Sequence, residues 1–195
     1  MIDAVLKIGG SLGRGPFLLP LCERIAALGV RHRLAIVPGG GVFADVVRAE
    51  GSRHRLGDAA QHWMAVLAMD AFGHLLADLI PRAAVVSTLE ETERCLNADR
   101  VAVILSYELL HAADPLPHSW AVTSDSIALW IGGTARADRV VLIKDRWGAA
   151  GLGVDRHLVE LRADAACGLW IVNGERPAEL EALLDGDASE GTRVW

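Results

Sequence analysis

The sequence predicts an α/β fold, a three-layer α/β/α sandwich built on a mainly parallel sheet. Three observations predict it. Short runs rich in valine, isoleucine and leucine recur along the chain, helical patterns fill the intervals, and glycine-rich turns follow the first two runs directly. With 195 residues, 52% of them hydrophobic, the chain suffices for one sizeable core and is short for two. A single domain over residues 1–195 is expected.

The elements follow in order. Residues 2–8 form the first apolar run, and residues 16–28 carry Phe17, Leu18, Leu21, Cys22, Ile25 and Leu28 at helical spacing. A second strand is expected at 33–37. A long helix over 59–79 shows a stripe through Trp63, Val66, Leu67, Ala71 and Leu75. Further strands are predicted at 83–86, 101–105, 139–143 and 168–172, with a short final strand at 190–194. An apolar helix over 127–132 is preceded by Thr123 and Ser124, either of which suits its N-cap. Residues 114–118 and 148–153 read as loops. In such sheets ligands bind beyond the carboxyl ends of the strands, so the residues after each run carry the functional argument.

The net charge of −6, with arginines scattered along the chain, excludes the clustered basic face that a nucleic-acid backbone requires. A small anionic ligand needs only local positive charge. Cys22, Cys95 and Cys167 are far apart and read as core residues. No apolar run is long enough to span a bilayer, so a cytoplasmic protein without membrane partners is expected. Of nineteen basic residues only Lys7 and Lys144 are lysine, and both close apolar runs. That placement marks positions where a compact ammonium serves and a planar guanidinium does not.

Four stretches carry chemistry. Lys7-Ile8-Gly9-Gly10-Ser11 follows the first strand, where paired glycines let backbone amides turn toward an anion beside the lysine. Pro38-Gly39-Gly40-Gly41 follows the second and enters a helix. Gly39, Gly41 and Ala44 fit a dinucleotide fingerprint loosely, but no acidic strand end follows, and a second anion-binding loop explains it better. Residues 118–126 read HSWAVTSDS, with Asp125 in the first turn of a helix, where it complements the dipole or orients a lysine. Lys144-Asp145-Arg146-Trp147-Gly148 ends a buried strand in a loop suited to nucleotide phosphates.

Together KIGGS at 7–11, PGGG at 38–41, TSDSIAL at 123–129, VNG at 172–174 and GTRV at 191–194 resemble the amino acid kinase superfamily, in its order and over nearly the whole chain. PGGGVFADVVR at 38–48, HWMA at 62–65 and HSWAVTSDS are most similar to its branch that phosphorylates a phosphomonoester in methanofuran biosynthesis. The resemblance implies transfer of the ATP γ-phosphoryl group to a phosphorylated small molecule, with Mg2+ held mainly through phosphates, in a homo-oligomer. It implies catalytic roles for Lys7, Asp125 and Lys144 and phosphoryl contacts from Gly9, Gly10 and Ser11. Gly39, Gly40, Gly41 and Ser124 would bind the acceptor, and Lys144, Asp145, Trp147 and Gly148 the nucleotide. The chain departs from the family pattern where TDVDG is replaced by KDRWG and the following GGxxxK-like segment is missing, which implies a reduced nucleotide lobe and weaker or differently built nucleotide binding. A catalytically silent homologue that keeps the acceptor half is the alternative, and a nicotinamide oxidoreductase a distant third.

Overall fold

The computed structural model describes residues 1–145, 153–161, 167–187 and 191–194. Its strands are β1 (Ala4–Ile8), β2 (Leu34–Pro38), β3 (Ala83–Val86), β4 (Val101–Ile104), β5 (Arg139–Lys144), β6 (Gly168–Asn173) and β7 (Thr192–Arg193). The helices are α1 (Leu18–Leu28), α2 (Gly41–His54), α3 (Asp58–Leu79), α4 (Leu89–Asn97), α5 (Ser106–Ala113), α6 (Ser124–Thr134), α7 (Arg156–Leu161) and α8 (Pro177–Leu184), with a 3-10 turn at Gly10–Arg14. Every predicted strand is present within two residues of its expected ends.

The strands form one sheet in the order β3-β4-β2-β1-β5-β6-β7. All neighbours are parallel except β7, which runs antiparallel to β6. The central strands are apolar without alternation because helices cover both faces, so each residue is buried whichever way it points. Val5, Val37, Val140 and Leu142 face one core, with residues of α4, α5, α6 and α7. Leu6, Ile8, Ile36, Val141 and Ile143 face the other, with residues of α1 and α8. Each such side chain contributes about 1.5–3 kcal/mol of burial, so the two-sided sheet is the fold's main source of stability. All three cysteines are buried and free.

The stripe on α3 lies elsewhere than the sequence suggests. Leu67 and Leu75 are 49% and 40% exposed, whereas His62, Val66, Met69, Phe72 and Leu76 are buried. A helix apolar on most of its circumference does not declare its inner face by period alone. Here the tertiary setting decides, because Val66 and Met69 join the first core while Phe72 and Leu76 join the second. Among the described residues no helix is long and apolar enough to cross a membrane.

Candidate active site

The chain extends the sheet from β1 outward through β2 and β4 to β3, then returns to place β5 on the other side of β1. The crevice beyond the carboxyl ends of β1 and β5 is therefore the topological switch point. Lys7 pairs in register with Leu142. Strand side chains repeat every two residues, so Lys144 emerges on the same face as Leu142 and Lys7. The two lysines, 137 positions apart in sequence, thus meet.

The first turn of α6 caps this face. Asp125 Oδ2 accepts a hydrogen bond from Lys144 Nζ at 2.7 Å, and Lys7 Nζ lies 3.0 Å from Oδ1 as an ion pair without hydrogen-bond alignment. Lys7 and Asp125 are 7% and 2% exposed, so the cluster is shielded from water. Burial alone would raise the Asp125 pKa, but Lys7 and Lys144 outweigh it and hold the carboxyl below its ordinary value. Burial holds the Lys144 ammonium below the ordinary lysine range against the pull of Asp125, and Lys7 adds to the lowering. The two directions agree once the cluster is seen as two cations sharing one anion. The aspartate is favoured by both neighbours, whereas each lysine is attracted by one and repelled by the other. Two ammonium groups at a strand end, offset by Asp125 and at longer range by Asp155, suit a ligand that brings negative charge.

Asp155, which the sequence reading passed over, holds this arrangement. Its carboxylate accepts from Thr123 N (2.8 Å), Thr123 Oγ1 (2.7 Å), Ser126 N (3.1 Å), Ser126 Oγ (2.5 Å) and Leu158 N (2.8 Å). One side chain therefore ties the start of α7 to residues on both sides of Asp125. Two residues earlier, the Gly153 carbonyl accepts from Lys144 Nζ at 2.5 Å. The signal for Asp155 was an aspartate directly before a short helix, an N-cap pattern. Thr123 is the N-cap of α6 itself, its hydroxyl accepting from Asp125 N at 3.3 Å.

The glycine loops divide their labour differently from the expectation. The Gly9 amide donates to Ile143 O at 2.9 Å and the Gly39 amide to Ile8 O at 2.8 Å, both extending the sheet. Neither amide is available to a ligand, which corrects the expected donor role of Gly9 and the cradle role of Gly39. Gly10 and Gly39 let the two loops touch instead. A Cβ on Gly10 would collide with the backbone of Gly41, and one on Gly39 would stand 2.5 Å from Gly10 N. Gly41 also adopts φ +54°, which glycine tolerates best. Among the described residues none accepts from the amides of Gly10, Ser11, Gly40 or Gly41, which open the 3-10 turn and α2. Free amides at helix starts are an anion cradle.

Gly10, Ser11, Gly40, Gly41 and Ser124 line a cavity of about 300 Å³ between these loops, α2, α3 and residues 119–124. Arg14 and Arg48 reach it from the two loop-borne helical turns, both paired with Asp45. Arg48 also lies over the Trp120 ring at 4.4 Å, and Trp120 Nε1 donates to Gln61 Oε1 at 2.9 Å, so one wall is stiffened. The signal for Arg48 was its place seven residues after Gly41, on the same face of a helix. The cavity is of a size for a small metabolite.

The amino acid kinase family model matches residues 4–148, three quarters of the chain. The chain belongs to the amino acid kinase family. This kinase is 28% identical to a 5-(aminomethyl)furan-3-ylmethyl phosphate kinase of Methanocaldococcus jannaschii, over 97% of the chain and 96% of the relative. The fold is similar to UMP kinase from Ureaplasma parvum (TM-score 0.75, 13% identity, covering 98% of each chain). It is likewise similar to the isopentenyl phosphate kinase of T. acidophilum (TM-score 0.64, 15% identity, covering 99% of each chain). Phosphoryl transfer from a nucleotide is thus the chemistry of this chain. On the nucleotide side Lys144 and Asp145 stand at the end of β5, while Trp147 and Gly148 lie outside the described residues.

Proposed function

We propose that this amino acid kinase transfers the γ-phosphoryl group of ATP to a phosphate oxygen of an aminomethylfuran-methyl phosphate, giving a diphosphate for a methanofuran-like one-carbon coenzyme. The observation that carries the reading is the buried Lys7–Asp125–Lys144 cluster beside a cavity lined by free amides and two arginines. Gly40, Gly41, Arg14 and Arg48 hold the acceptor phosphate, and Gly10 and Ser11 present amides to the transferring group. An acceptor oxygen attacks the γ-phosphorus, the bond to the β,γ-bridging oxygen breaks, and ADP leaves with that electron pair. Lys7 neutralises charge on the transferring group, and Lys144, with Asp145, faces the nucleotide phosphates.

No general base is required. A phosphomonoester with a second pKa near ~6 is already largely dianionic at neutral pH. The task of the site is positioning and charge neutralisation. Mg2+ would be held mainly through the nucleotide phosphates, since both Asp125 oxygens face lysines, and would supply charge neutralisation on the phosphate oxygens. Assembly into a homo-oligomer belongs to the same proposal.

ADP release with ATP and Mg2+ tests the acceptor, comparing the aminomethylfuran-methyl phosphate with UMP and isopentenyl phosphate. We expect kcat/KM at least about a hundredfold higher for the furan. Equal or faster turnover of another acceptor overturns the acceptor assignment. Turnover of none, with the phosphates still bound, favours the silent homologue.

A further inference from the structure

His62 is buried to 93% within α3, at a position of the inner stripe otherwise taken by apolar residues, and it lines the acceptor cavity. Its ring is held on two sides. The His118 imidazole stacks on it at 4.6 Å and 19°, and the Trp63 indole meets it edge-on at 4.9 Å. His118 is anchored in turn, its Nε2 2.7 Å from Asp114 Oδ1. Among the described residues no group hydrogen-bonds the ring nitrogens of His62, which keep some access to the cavity the ring lines. A histidine that the fold orients on a cavity wall without pairing its nitrogens can offer them to a ligand.

Its charge state narrows what completes it. Burial and His118 hold the pKa of His62 below the ordinary histidine value, with Asp114 opposing. A neutral imidazole offers one N–H and one lone pair. Apolar Val66 and Met69 from the same helix and Ile127 from α6 also line the cavity, while the arginines and free amides lie on the loops and α2. A protonated histidine would repel a cationic ligand, whereas a neutral one accepts a hydrogen bond from it.

We propose that His62 is a specificity-determining residue, its neutral imidazole accepting a hydrogen bond from an amine at the end of the acceptor remote from the phosphate. The inference rests on the furan phosphate reading above. It adds the residue that separates an amine-bearing acceptor from one that merely fits.

Steady-state kinetics with the amine-bearing furan phosphate and its des-amino analogue, in the wild type and His62→Leu, provide the test. The wild type is expected to prefer the amine roughly ten- to a hundredfold in kcat/KM, the value of one buried hydrogen bond to a charged group. In His62→Leu that preference, read as the ratio of the two kcat/KM values, collapses to within about threefold, while the KM for ATP holds. His62→Gln, which keeps an acceptor, restores part of it. A wild-type preference that survives in His62→Leu overturns the assignment of His62 alone. A wild type inactive on both compounds overturns the furan reading and this inference with it. Should His62→Leu not fold, the wild-type imidazole ¹⁵N resonance decides, moving with the amine and staying fixed with the analogue; movement with both overturns the proposal.

Discussion

Asp125 pairs with both Lys7 and Lys144, at 3.0 and 2.7 Å, and its charge helps set what a phosphate meets at the sheet edge. Asp125→Asn leaves two buried ammonium groups without the carboxylate they both pair with. We expect a loss of about 3–5 kcal/mol of stability near neutral pH. The pH dependence follows from the lowered native pKa. An aspartate whose folded pKa lies below its unfolded value of ~3.9 binds fewer protons in the native state. Its stabilisation is complete above the unfolded value and is lost as pH falls through the lower, native one. The difference in melting temperature between wild type and Asp125→Asn should be constant above pH ~5 and shrink on further acidification. A difference independent of pH down to the acid transition would contradict the charge assignment.

At the scale of elements, the start of α6 is a joint, not merely a cap. Asp155 gathers five hydrogen bonds from Thr123, Ser126 and Leu158, so Asp125 is fixed by a residue thirty positions further on. Asp155→Ala should cost about 3 kcal/mol, which for a chain of this length lowers the melting temperature by roughly 6–12 °C. The same change should lower kcat roughly tenfold with the acceptor KM held within about twofold, because the cavity wall stays while the lysine-holding carboxylate loosens. Asp155→Asn, able to accept but uncharged, should fall between. An unchanged kcat at a lowered melting temperature would make Asp155 structural only.

What the sequence disclosed tracks how local the cause is. Strand positions and the caps of α6 depend on neighbours in sequence, and they were legible. The availability of the Gly9 and Gly39 amides depends on sheet register, which places Ile143 O and Ile8 O in front of them. That knowledge is not local. The inner face of α3 failed for a related reason, since Val66 and Phe72 serve different cores and no single stripe describes both. Asp155 and His62 gain meaning only from partners distant in the chain, α6 for one and His118 for the other.

For the whole molecule, the fold brings both lysines to one crevice by placing β1 and β5 side by side, and the cavity opens beside it. The claim is that this crevice moves a phosphoryl group onto a phosphate. ³¹P NMR of ATP, Mg2+ and the aminomethylfuran-methyl phosphate tests it most directly, with wild type and Lys7→Ala compared at equal concentration. The wild type should convert the acceptor singlet into the coupled doublets of a diphosphate as ADP appears, and Lys7→Ala should be slower by on the order of 10² or more. An acceptor singlet unchanged by the wild type, or a Lys7→Ala rate within a fewfold of it, would contradict the account.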